Sequence, residues 1–381
     1  MESGLVLLQL AVPLLAVKLG ADWVMLGNIG WIAQAIRTPI CMTSGRLSER
    51  VGRATIIVPS AMVCAIVIAA LSQARSIGWV IVLYAIALAS IGAFYPPLQA
   101  LIGDASERGQ LRKNLGMFNV GWCVGGAVTA AVAGVLVRSG LNVLFFVGAG
   151  FCFVSAILVL TWRGKRANAA ASAESDEEAA DAVGEDFGPL LPIARMGHFV
   201  GFFGFSVVRI LFVKMGVTSF AWSKETVANV VAIFLWGLSI GILITNVSPW
   251  WRGKLWPQVL AQLTMLICAA GAALVCSPVL AFARSVVVIG VLFFLFGMAQ
   301  SVAYTGALYY GLSSRKGKGA NTGLHEALVA AGSVSGCLLG GLAAQRFGVA
   351  APFTTLAVVA AAALLATAVI WARRQARVAS A

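Results

Sequence analysis

Twelve long runs of apolar residues, separated by short breaks rich in charge or turn residues, leave this chain few ways to fold. The runs extend over about 3–19, 23–44, 55–74, 78–102, 113–137, 141–162, 194–216, 226–247, 255–276, 284–311, 321–344 and 351–372. A helix needs roughly 20 apolar residues to cross the hydrocarbon of a bilayer, whereas a membrane barrel shows segments of about 10 residues that alternate polar and apolar. These runs do not alternate, so an all-α integral membrane protein with 12 transmembrane helices is expected. A soluble domain is excluded on the same ground: only 11% of residues are charged here, against about 25% in ordinary globular chains.

The charge that remains is distributed by side. With both termini in the cytoplasm, the inner breaks and tail hold 18 of the 27 Lys and Arg residues and the outer breaks 7, with Arg37 and Arg209 inside spans. Cytoplasmic loops of membrane proteins carry such an excess, so a multi-pass protein of the cytoplasmic membrane with both ends inside is expected. The net charge of +13 is spread over many short loops, so no nucleic-acid surface is expected; the anionic inner leaflet is the expected neighbour. The 7 cysteines all fall in apolar runs without a CxxC pair and read as small packing residues. The first run, Leu5 to Val17, lacks a basic leader and a small-residue cleavage pattern, so it reads as a retained span. Its closeness to Met1 leaves room for a native tail upstream of this start.

One break is unlike the others. Residues 164–192 are rich in alanine and acid and hold 7 of the 14 acidic residues, which marks a cytoplasmic linker. It separates a six-helix bundle at 1–163 from a second at 193–381. The halves are weakly alike: "LLAVKLGA" at 14–21 matches "ILFVKMGV" at 210–217, "NLGMFN" at 114–119 matches "NTGLHE" at 321–326, and "AGVLVRSG" at 133–140 matches "GLAAQRFG" at 341–348. The common order of these matches argues for duplication of a six-span unit, the build of many secondary transporters, with binding near the midplane between halves.

Between spans 2 and 3 lies "GRLSERVGR". Gly45, Glu49, Arg50, Gly52 and Arg53 occupy the places of a glycine, an acid, a basic residue, a glycine and an arginine in a signature that this loop resembles, that of the major facilitator superfamily, with Glu49 where aspartate is commoner. The resemblance implies two pseudo-symmetric six-helix bundles around a central cavity. It also implies a latch, in which the acid meets the cytoplasmic start of span 11 near Asn321 to Gly323. A carboxylate at a helix N-terminus is stabilised by about 0.3 to 1 kcal/mol on an exposed surface. A plain solvated turn is the alternative. In the second half, "NVSPWWRGK" at 246–254 aligns with the same loop, keeping Gly253 and Lys254 but placing Trp250 where the acid would be.

Ionisable groups within spans mark function by default. Glu326 lies about 7 Å into span 11 and Arg37 about 12 Å from the same face in span 2, at 1.5 Å per residue. The family fold sets these spans side by side, so Arg37, Glu326 and the adjacent His325 are gate or proton candidates; local pairing of Glu326 with Lys318 or Arg46 is the alternative. Arg209 could snorkel past Lys214 or clamp an anion, and His198 could serve interface packing or a proton relay. Tyr95 and Gln99 lie in "FYPPLQ", whose prolines either kink span 4 for packing or open a polar cavity. Gln34, Asn119, Trp122, Trp236, Gln300, Tyr304 and Tyr309 complete the cavity candidates. "HEALV", 325–329, has Val329 where a zinc helix needs its second histidine, so no metal and no cofactor are expected. "GSVSGCLLGG", 332–341, has small residues at close-packing spacing. It also resembles the family's antiporter motif, which belongs in span 5, where Gly126 stands in place of the proline.

These features point to secondary transport of a small organic solute by alternating access, coupled to protons, with no enzymatic site and a monomer in the bilayer. The alternative is a non-transporting membrane sensor or assembly scaffold of the same fold.

Overall fold

A computed structural model of the chain describes residues 1–104, 111–166, 187, 189–277, 285–312 and 318–379. Residues 167–186 and 188 of the expected linker, and the side chains of Asn321 to Gly323, lie outside the described residues. The described chain is helical throughout its elements and contains no strand. Its twelve helices are α1 (Glu2–Lys18), α2 (Trp23–Val51), α3 (Arg53–Leu71), α4 (Ile77–Asp104), α5 (Leu111–Leu136), α6 (Leu141–Arg166), α7 (Leu190–Ser219), α8 (Lys224–Val247), α9 (Leu255–Cys276), α10 (Val286–Leu312), α11 (Lys318–Phe347) and α12 (Ala351–Ala379). Ten of them are long and apolar enough to cross a membrane. The other two are α1, which has 17 residues, and α2, whose apolar run is diluted by Asn28, Gln34 and Arg37. Inside hydrocarbon no water can pair with peptide groups, and the helix is the element that satisfies them within one segment.

The helix ends explain several boundaries. Asp22 Oδ1 accepts the Met25 amide at 2.7 Å and opens α2, and Ser223 Oγ accepts the Thr226 amide at 3.1 Å and opens α8. At the signature, the nine residues read as a loop are mostly helix. α2 continues through Val51, and the chain turns on Gly52 alone, at φ +93°. Arg46, Leu47, Glu49 and Arg50 have high helix propensity, so nothing local stops α2 before the glycine.

The repeat seen in the sequence recurs in the backbone. Gly253 is left-handed like Gly52, and Gly348 (φ +89°) matches Gly140 (φ +119°). The third matched pair differs. Gly20 turns at φ +82°, whereas Gly216 stays helical, because α7 runs on through π-helical turns at Val207–Leu211 and Met215–Ser219 and reverses at Ala221.

Contacts divide the chain into two compact units, Met1–Ala21 with Ile32–Val183, and Asp22–Trp31 with Gly184–Ala381. Each unit pairs its helices in one pattern. In the first, α3 packs on α4 and α6, and α1 on α4 and α5; in the second, α9 packs on α10 and α12, and α7 on α10 and α11. Glycine sets the closeness of several of these contacts. A Cβ at Gly237 of α8 would strike the Phe294 carbonyl of α10, and one at Gly297 would come within 2.7 Å of the Leu238 amide nitrogen. On α11, Gly332, Gly336 and Gly340 face α7, while Cys337 and Gly341 receive Gly27 and Gly30 from the first turns of α2. The run at 332–341 thus works as two close-packing faces of one helix.

Candidate functional site

The first unit carries an ionisable group that the sequence reading overlooked. Glu2, in the first turn of α1, accepts a hydrogen bond from the Tyr95 hydroxyl of α4 at 2.7 Å. The Tyr95 ring stands edge-on to Phe94 and Phe118, at 5.4 and 6.4 Å between centroids. Arg37 of α2 packs its stem on Gly92 of α4 and lies near enough to Tyr95 to interact with it electrostatically. α1, α2 and α4 therefore converge on one polar group within an apolar bundle. Gln34, Asn119 and Trp122 are half-buried and Gln99 is exposed. The scarcity of acids outside the linker could have pointed to Glu2; its place at the very start of the chain hid it.

The signature residues divide by role. Arg53 folds back under the end of α2, donating to Ser48 Oγ at 2.9 Å and to the Gly45 carbonyl at 3.3 Å, with Glu49 at 3.7 Å. Gly45 is inside the helix, where a Cβ would lie 3.6 Å from Pro96. Gly52 makes the turn, Arg53 holds it, and Glu49 and Arg50 are exposed.

In the second unit the polar groups are more deeply enclosed. His198 of α7 and His325 of α11, 0% and 3% exposed, stack with ring centroids 4.2 Å apart and planes 20° from parallel. The Tyr304 ring of α10 lies 5.6 Å from His198 and 5.2 Å from His325. Four residues before Tyr304 on the same helix, Gln300 is fully buried against Gly201, and neither amide atom has a hydrogen-bond partner among the described residues. α9 adds Gln262, which donates to the Ile193 carbonyl at 3.0 Å and accepts from Thr367 at 2.9 Å. Glu326 is exposed beside the buried His325.

The remaining candidates disperse. Arg209 sits in the first π-helical stretch of α7, 5% exposed, with its guanidinium 4.8 Å from the centre of the Phe205 ring. The Arg209 guanidinium is thus enclosed within the second unit, against an aromatic ring. Trp236 is half-buried in α8. Tyr309 belongs to a separate aromatic cluster with Trp251, Tyr310 and Phe187, capped by Arg252 at 5.0 Å from its ring centre. This cluster explains the altered second copy of the signature. Trp251 is 1% exposed and donates its indole N–H to the Thr245 carbonyl at 2.9 Å, while Trp250 stacks toward Trp256. Where the first copy presents a carboxylate, the second is pinned into its own bundle by indoles. Among the described residues no group of three or more His, Cys, Asp or Glu is placed to hold a metal ion.

The family model described as Major Facilitator Superfamily matches residues 3–314. The chain belongs to the major facilitator superfamily. Solved structures of superfamily transporters share its fold. A bacterial homologue of the human lysosomal transporter Spinster, in an inward-facing and unoccupied conformation, matches with a TM-score of 0.67 at 15% identity, over 97% of this chain and 92% of that one. The nucleoside transporter NupG matches with a TM-score of 0.65 at 11% identity, over 97% and 98%. No single curated protein matches by sequence. Membership makes this superfamily chain a multi-pass membrane protein of the transporter kind and points away from an enzyme.

Proposed function

We propose that the protein carries a small organic solute across the cytoplasmic membrane by alternating access, coupled to protons, with both termini in the cytoplasm. It acts as a monomer of two six-helix bundles, 1–163 and 193–381, joined by the linker 164–192. The observation that carries this reading is the placement of ionisable and polar side chains inside apolar helices of both units: Glu2, Tyr95 and Arg37 in one, His198, His325, Gln300 and Arg209 in the other. Such groups are costly in a membrane and persist where they serve a pathway. An apolar scaffold has no use for them.

In this scheme Gln34, Tyr95, Gln99, Asn119, Trp122, Arg209, Trp236, Gln300, Tyr304 and Tyr309 supply cargo contacts. Arg37, Glu326 and His325 supply the gate and proton path, and Gly45, Glu49, Arg50, Gly52 and Arg53 the latch on the start of α11. The test is flux into proteoliposomes from a panel of organic solutes that includes nucleosides, with and without an imposed proton gradient. Gradient-dependent accumulation of one class is expected. No flux under any gradient would return the chain to the sensor or scaffold alternative.

A further inference from the structure

The stacked histidines are arranged unlike ordinary core residues. A buried histidine normally directs its ring N–H to a carbonyl or carboxylate, which fixes the tautomer. Here both ring nitrogens of His325 are buried without a hydrogen-bond partner among the described residues, and the polar group that the His198 ring meets is the His325 backbone. Unpaired buried polar groups are rare enough in folded proteins that each asks for a ligand, a water or a function. The two rings meet face to face at 4.2 Å, and they are the chain's 2 histidines.

We propose that His198 and His325 together form a one-proton binding site inside the second unit. A proton needs no added volume, which suits rings that are 0% and 3% exposed. Placed on either ring, it makes an imidazolium lying over the face of a neutral imidazole, with the Tyr304 ring 5.2 to 5.6 Å away, an arrangement that the π-systems stabilise. A second proton would set two cations 4.2 Å apart in a low-dielectric interior, where their repulsion is many times what water would allow. The charged neighbour facing the pair from α7 is Arg195, which interacts electrostatically with His325 and is itself positive, so it too opposes a second charge. From α10 the facing titratable group is Tyr304; on α11 Glu326 adjoins His325 on the exposed side. Gln300, one helical turn from Tyr304 and packed on Gly201 one turn along α7 from His198, has an unpaired amide oxygen. The pair joins α7 to α11, so its protonation acts on a contact between two helices of the bundle.

This inference rests on the proton-coupled reading for what the proton does, but the binding can be measured without any cargo. Protein labelled with 15N only at histidine, in lipid nanodiscs, gives signals from two residues, and nitrogen shifts distinguish imidazole from imidazolium. The expected result is uptake of one proton that moves the signals of both residues together, with a second step only after a further tenfold or greater rise in acidity. In His198→Gln, His325 should then titrate in a single step displaced from both. Two independent titrations in the unmodified protein, or a His325 titration that His198→Gln leaves unmoved, would overturn the proposal. The unmodified protein decides the matter if the variant fails to fold. Joint titration alongside flux that ignores a proton gradient would keep the site and remove the coupling; independent titration removes the site whatever the flux shows.

Discussion

At the scale of single residues, the two signature glycines have opposite requirements. Gly52 holds φ +93° with ψ 139°, an extended positive-φ conformation that costs a residue other than glycine about 1 to 3 kcal/mol, whereas Gly45 is helical, where an added methyl group would make ordinary contact with Pro96 at 3.6 Å. Gly52→Ala should therefore lower thermal stability by about that amount. Gly45→Ala should leave it unchanged or raise it by about 0.5 kcal/mol, since glycine weakens a helix interior. Melting of the purified protein in detergent compares them directly; equal losses would show that the motif is not turning on Gly52. Glu49 differs from both. Its side chain is 64% exposed and meets Arg53 at 3.7 Å, and a surface pair of this kind contributes well under about 1 kcal/mol. Glu49→Gln should thus leave the melting temperature nearly unchanged while altering the balance of transport states, read by alkylation of cysteines introduced at either mouth. No change in alkylation would reduce Glu49 to a solvated side chain. The sequence identified the motif but drew it as a loop, because charge density looks the same on an exposed helix end as on a turn.

At the scale of elements, close packing by glycine decides where the helices can touch, and the cost of filling each gap follows from what borders it. At Gly297 a methyl group would meet the Phe234 carbonyl and the Leu238 amide of α8, and at Gly332 it would lie 2.6 Å from the Phe199 carbonyl of α7. Backbone cannot rotate away as a side chain can, so Gly297→Ala and Gly332→Ala should each destabilise by about 1 to 3 kcal/mol, the range for overpacked cores. Gly125→Ala in α5, with nothing within 4 Å, should be neutral or slightly stabilising. Size-exclusion profiles and melting temperatures would check the contrast, and loss of order at Gly125 alone would reverse it. The small-residue spacing at 332–341 was legible in the sequence, but its partners were not. Spacing shows that a helix can be approached and says nothing of which neighbour approaches it. The same limit applies to the histidines. Each lies seven or eight residues into a helix that starts near the end of a connecting segment, α7 at Leu190 and α11 at Lys318, and that shared depth was available. That the two helices are neighbours was not, since the two histidines lie 127 positions apart (325 − 198).

At the scale of the whole molecule, the apolar runs carried the all-helical membrane architecture, because hydrophobic length is a property of the chain itself. The candidate site was legible only in part. Arg37, Tyr95, Gln300 and Tyr304 were visible as polar residues within spans, whereas Glu2, His198 and Gln262 took their meaning from partners far away in sequence. Whether Arg37 and Glu326, which belong to different units, act on each other is a question of coupling that a double-mutant cycle answers. If they form a gate pair in one transport state, Arg37→Ala and Glu326→Gln should each slow the exchange between states by a similar factor. The double variant should then be no slower than either single one, because the second substitution removes a partner already lost. Independent sites would instead give effects that multiply. The readout is the rate at which cysteines introduced at the two mouths become accessible in turn, measured on folded protein at matched melting temperature. An interaction energy indistinguishable from zero would confine Arg37 to its packing on Gly92 and its interaction with Tyr95, and would leave the proton path to the buried pair on α7 and α11.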